Sequence, residues 1–288
     1  MLKKTRRLWH NDLYFCDSRR RRQIDKIYSW VQNEVLKEQN VHFEDFELYQ
    51  YYKKLHEILQ LYKVIDESRG SFVRVGNEND GGYIMWFPFS RNLIAYSIGI
   101  CTDVSWDLQM ADWGYEVFQY DHTIKNLPQS NSRFHYEKIG LTGGEETHNL
   151  KRLTTMLSKN HHNECGMVLK LDIEGAEWEV FRNSGVELDL FDQIIVEFHN
   201  VTDVSKQNLI IEALSNVVKT HLAIHIHGNN FDTVSYCGKY ITPNTIEVTF
   251  LNKKCFKLEK NNIVLPKLED RPCNPMESEI WLGNWNPV

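Results

Sequence analysis

The mostly apolar run Met167-Val-Leu-Lys-Leu171 stops abruptly at Asp172-Ile-Glu174 and turns at Gly175 into a helix-like stretch. Such a run, ending at carboxylates and a glycine, reads as a strand buried on both faces. In open α/β sheets, ligands sit just beyond the carboxyl ends of strands of this kind. Asp172 and Glu174 are therefore candidates for a ligand site. The competing explanation is local: either carboxylate can cap the free N–H groups that open the next helix.

The same punctuation recurs along the chain. Residues 93–98 form a strand pattern ending at Gly99, and residues 115–120 a second one ending at Asp121. Further strand patterns cover 134–139, 193–198, 222–227 and 245–251, with 167–171 fourth in order. Helical periodicity fills several of the gaps. It runs through Val104, Trp106 and Met110 behind a Thr102 or Asp103 cap, then through Leu150, Leu153, Met156 and Leu157, and again from Leu209 to Val218. This alternation predicts an α/β fold with a doubly wound, mostly parallel seven-stranded sheet over residues 69–265. Residues 1–68 read as a helical extension, with Ile24, Ile27, Trp30, Val31 and Val35 at helical spacing, and again Tyr51, Leu55, Ile58, Leu59 and Tyr62. Residues 266–288, which carry several Pro and Asn residues and two tryptophans, read as an irregular tail packed on the domain.

A chain of 288 residues with 42% hydrophobic and 25% charged side chains has ample material for one such core. Its net charge of −6 argues against a general nucleic-acid binder. The arginines Arg19 to Arg22, with Lys3, Lys4, Arg6 and Arg7, are either a solvated helix face or a phosphate-binding patch for a diphosphate-bearing substrate. No segment has the length of a membrane span or the form of a signal peptide, and the six scattered cysteines contain no C-x-x-C pair. Reduced thiols and a cytoplasmic location are the corresponding expectation. A homo-oligomer is compatible with the composition.

The turn Ser97-Ile-Gly99-Ile-Cys-Thr-Asp103 has the position of a nucleotide-binding turn but a single glycine, so the full dinucleotide signature is missing. A looser turn suits S-adenosylmethionine, which has no pyrophosphate. Asp121, at the end of the second strand, is placed to accept ribose hydroxyls. The stretches Asp80-Gly-Gly-Tyr83, residues 96–106 and Lys170-Leu-Asp172-Ile-Glu174-Gly-Ala-Glu177 together resemble the FkbM-like methyltransferases. Their hallmark, Lys-x-Asp-x-Glu-Gly-x-Glu, is matched from Lys170 to Glu177, and the resemblance spans roughly residues 72–252. It implies a Rossmann-like methyltransferase fold, S-adenosylmethionine as donor and O-methylation, often of sugars. It puts Gly99, Asp103 and Asp121 on the cofactor side, with Asp80, Gly81 and Tyr83 contributing to the same pocket.

Three strand ends carry groups able to bind metal: Asp172 on the fourth, His199 on the fifth and His227 on the sixth. If those strands lie side by side, a carboxylate and two imidazoles could hold Mg²⁺, Mn²⁺ or iron with open positions for an acceptor hydroxyl. Glu174 or His225 would act as base, and Glu197 would orient His199. Each of these residues also has an ordinary explanation as a cap or a packed polar group. The expectation is a metal-assisted O-methyltransferase acting on a sugar or nucleotide sugar. Two rivals remain: a two-His-one-carboxylate oxygenase or hydrolase, and a non-catalytic Rossmann-like binding protein.

Overall fold

The computed structural model describes residues 46–65, 70–88 and 91–286. The expected helix at Ile24–Val35 and the basic clusters among Lys3 to Arg22 lie outside the described residues.

Among the described residues, helix α1 (Phe46–Ile58) comes first. The central sheet then builds from β1 (Ile94–Ile98), α2 (Ser105–Asp112), β2 (Glu116–Tyr120), β3 (Phe134–Glu137), α3 (Leu153–Lys159), β4 (Met167–Leu171), α4 (Glu177–Asn183), β5 (Phe191–Phe198), α5 (Gln207–Val217), β6 (His221–Gly228) and β7 (Ile246–Asn252). All residues of β4, β5 and β7 are buried, which is why these strands read as nearly continuous apolar runs.

Across the sheet the order is β6-β7-β5-β4-β1-β2-β3. The sheet is mixed. Neighbours from β5 through β3 pair in parallel, whereas β7 runs antiparallel to both β5 and β6. This corrects the expectation that the fourth, fifth and sixth strands lie side by side. A parallel return needs a long crossover, usually helical. Between β6 and β7 the chain forms only a hairpin, Val234–Cys237 with Tyr240–Pro243.

Both faces of the sheet are covered. Tyr96, Ile98, Leu169, Leu171, Ile194 and Val196 pack with α3, α4, α5 and the α1 residues Tyr51, Tyr52 and Leu55. The alternate residues Ala95, Val117, Val168 and Ile195 pack with Trp106 and Met110 of α2 and with Val75, Tyr83 and Met85. These last three belong to an antiparallel hairpin, Ser71–Val75 with Tyr83–Phe87, which the helix–strand reading of that region passed over.

Residues 47–65, expected in a separate extension, join the same compact unit as the sheet. There Tyr62–Val64 pairs with Leu258–Lys260. The tail contributes its own short pair, Val264–Leu265 with Gly283–Asn284, and buries Cys273, Leu282 and Trp285. The Trp285 ring stacks on His56 of α1 at 3.8 Å between centroids, and its indole N–H donates to the Leu59 carbonyl at 2.9 Å.

Candidate active site

Strand register aligns the site residues into one row. Ile98 faces Leu171, Leu171 faces Val196, Glu197 faces Glu247, and Glu247 faces His227. One step beyond the parallel pairs stand Gly99 and Asp172, so the rim reads Gly99, Asp172, Glu197, Glu247, His227 across five strands.

His199, just past β5, is the centre of the first polar cluster. Its Nδ1 lies 3.2 Å from Glu177 Oε1, and Nε2 faces Glu174 at 3.5 Å, Glu197 at 3.6 Å and Asp172 at 3.9 Å. Glu177 is fully buried and also accepts the backbone N–H groups of Ile173 and Gly175. It thereby fixes both the β4 loop and the imidazole. The Trp178 indole holds the His199 carbonyl at 2.6 Å from the other side. Burial alone would lower the His199 pKa. The Glu177 hydrogen bond and the charges of Glu177, Glu197 and Asp172 outweigh it and raise the imidazole to about 9.

Glu197 sits between two like charges. Burial, then Asp172 and Glu247, push its carboxyl well above the usual range, while Asn229 donates to it at 3.0 Å. The Tyr83 hydroxyl bridges the two strands, donating to Asp172 Oδ2 at 3.1 Å and to Glu197 Oε2 at 3.5 Å. Asp80 on the same loop is raised by burial and by the charges of Glu247 and Asp172.

The loops themselves are strained. Of the four described non-glycine residues with left-handed φ, Cys101 follows β1, Glu174 follows β4 and Asn200 follows β5. Each such conformation costs on the order of 1 kcal/mol and persists only where surrounding contacts over-determine it. Gly99 adopts φ +86°, and a Cβ there would overlap the Asp172 carbonyl oxygen. Only glycine lets the β1 and β4 loops approach this closely.

On the expected cofactor side, the hairpin loop meets the start of α2. Asn77 donates to Asp103 Oδ2 at 2.9 Å, and Gly81, at φ +79°, has no room for a Cβ beside that carboxylate. Asp103 stands two residues before α2 and accepts the Ser105 N–H at 2.9 Å. Asp121 is committed to its own chain. Oδ2 accepts the N–H groups of Ile100 and Cys101, both at 2.9 Å, and Oδ1 accepts the Thr123 N–H and hydroxyl at 2.7 and 2.6 Å. Burial favours its neutral form, but these hydrogen bonds prevail and bring the carboxyl down to about 2. Lys170 is buried, with its ammonium 3.2 Å from the Gly99 carbonyl and 5.2 Å from the Tyr83 ring centroid.

The structure therefore unites Asp172, Glu174 and His199, whose ligand atoms lie within 4.8 Å of one another, and separates His227 from them. With β7 between β5 and β6, His227 meets Glu247 at 2.9 Å instead. His225, expected as a base, is buried with its Nε2 3.0 Å from Asp270 of the tail. Glu177, Glu247 and Cys273 were passed over by sequence reasoning. A carboxylate inside an otherwise apolar strand was the available signal for Glu247.

A seven-stranded mixed sheet with its polar residues gathered on the rim of the central strands is consistent with a methyltransferase fold. Residues 88–228 match the methyltransferase FkbM domain. Probable methyltransferase-like protein 24 of Homo sapiens is 29% identical over 117 residues, 36% of this chain and 32% of that protein. The Rattus norvegicus protein of the same name is 28% identical over 117 residues, with the same coverage. The chain thus spans about a third of the length of the curated relatives it matches.

Proposed function

We propose that this protein is an S-adenosylmethionine-dependent O-methyltransferase whose acceptor is a sugar hydroxyl, carried as a nucleotide sugar for a surface polysaccharide or a glycosylated metabolite. The residues present suit the donor. It bears a sulfonium and an ammonium, and the rim of β1, β4 and the hairpin offers Asp80, Asp103 and Asp172 to cations. The like charges crowding Asp80 are the observation that supports this fit. Asp121, saturated by its own backbone, acts here by shaping the Gly99 turn. When bound, S-adenosylmethionine supplies an electrophilic methyl group.

The observation that carries the reading is the convergence of Asp172, Glu174 and His199 at the ends of the two central strands, beside the β1 turn. A sugar hydroxyl is too weakly acidic to be a nucleophile at neutral pH without help. Asp172, Glu174 and His199 are proposed to hold a divalent cation that acidifies it, with Glu177 orienting the ring as carboxylates orient metal-bound imidazoles. Glu197 would be the base in its ionised form: once the cation's charge had displaced its own proton, its surroundings would give the carboxylate a high affinity for the one released.

Calorimetry with S-adenosylmethionine and assays of a nucleotide-sugar panel with labelled methyl donor test this. Donor binding is expected, as is methylation that a chelator abolishes. Asp172→Asn is expected to lower turnover on the order of 100-fold or more. Failure to bind the donor removes the hypothesis. Full activity of Asp172→Asn in the presence of chelator removes the metal role alone.

A further inference from the structure

The end of β6, the start of β7 and the tail converge on a second polar cluster that the methyl-transfer reading leaves unused. His227 Nδ1 lies 2.9 Å from Glu247 Oε2, and Cys273 Sγ lies 3.4 Å from Glu247 Oε1. One ligand atom from each of the three falls within 4.8 Å of the others, and all three residues are buried. The far nitrogen of the ring, Nε2, lies 3.1 and 3.2 Å from the two oxygens of Glu279.

We infer that His227, Glu247 and Cys273 form a binding site for a zinc-class transition-metal dication, with Glu279 orienting the imidazole. Sulfur, nitrogen and oxygen donors from three separated segments are the mixture that zinc and its analogues accept, and three protein ligands leave a fourth position open. A carboxylate on the second ring nitrogen is how metal-bound histidines are fixed in tautomer and orientation. The metal-free alternative clamps a protonated His227 between Glu247 and Glu279. It accounts for the two carboxylates, with the Cys273 thiol donating a weak hydrogen bond to Glu247 at 3.4 Å, but it does not use the soft sulfur donor that the cluster adds to its nitrogen and oxygen. A dication also answers the run of carboxylates along the rim, since Glu247 faces Glu197 in the register. Its ligands would tie the tail to the sheet, because Cys273 and Glu279 follow the last strand of the sheet and lie outside the matched residues 88–228.

The full chain, stripped with chelator and titrated with cobalt(II), provides the test. A cobalt–thiolate charge-transfer band saturating at one equivalent is expected, absent in Cys273→Ser and retained in Asp172→Asn and His199→Gln. Against an Asp172→Asn background, which disables the proposed active-site cation, zinc should raise the melting temperature of the stripped protein and leave that of the Asp172→Asn, Cys273→Ser double variant unchanged. His227→Gln should weaken cobalt binding at least tenfold. Were that variant to misfold, the conservative Cys273→Ser comparison decides alone. Absence of a thiolate band, or its persistence in Cys273→Ser, overturns the inference. These readouts do not depend on methyl transfer, so failure here leaves the proposed activity standing, and the reverse.

Discussion

Four carboxylates surround the His199 ring, but only Glu177 meets Nδ1, and it is the one with no exposure at all. That asymmetry gives Glu177 two tasks, bracing the β4 loop through Ile173 and Gly175 and setting the charge of the imidazole. Glu177→Gln keeps the shape and removes the charge. The His199 titration followed by NMR should then fall from about 9 toward the ordinary imidazole value. Glu177→Ala leaves two backbone donors and a ring nitrogen without their acceptor, a loss of roughly 1–3 kcal/mol readable as a lower denaturation midpoint. Of this arrangement, Asp172, Glu174 and His199 were legible because each stands just past an apolar run. Glu177 was visible only as a letter of the Lys170–Glu177 motif, since nothing in a linear sequence says that a helix-opening glutamate folds back on a residue 22 positions later.

At the scale of elements, Trp178 and Phe181 of α4 both pack their rings against Phe198 of β5. Trp178 stacks on Phe198 with centroids 4.3 Å apart, and its indole N–H reaches the His199 carbonyl. Trp178→Ala should cost about 3–5 kcal/mol through the cavity it leaves. Trp178→Phe should cost less overall yet disturb the His199 loop, and paired urea titration and ligand-binding measurements separate the two effects. The strands were legible from their apolar runs, but their lateral order was not. Period and length describe which faces an element buries, and neither names its neighbour. The missing helix between residues 228 and 246 was the one clue that β7 returns antiparallel. The hairpin from Ser71 to Phe87 escaped because its second strand is buried over four of five positions and lacks clean alternation.

For the whole molecule, the histidines pull stability in opposite directions. Burial holds His56 and His221 down at about 4, whereas the carboxylates raise His199 to about 9. The first two bind fewer protons folded than unfolded, so their contribution is complete above about 6.5 and is lost as pH falls through 4. His199 binds more when folded, so its contribution is complete below about 6.5 and is lost as pH rises through 9. Melting temperature is therefore expected to peak near pH 6.5. His199→Gln should flatten the alkaline limb and His221→Gln the acid one, and scanning calorimetry across pH checks both. The placement of β7 has a temporal meaning as well. It is the last strand of the central sheet to be synthesised, yet it occupies an interior lane between β5 and β6. A nascent chain therefore exposes two bare strand edges until Asn252 has left the ribosome, and that interval is when this protein most needs a chaperone.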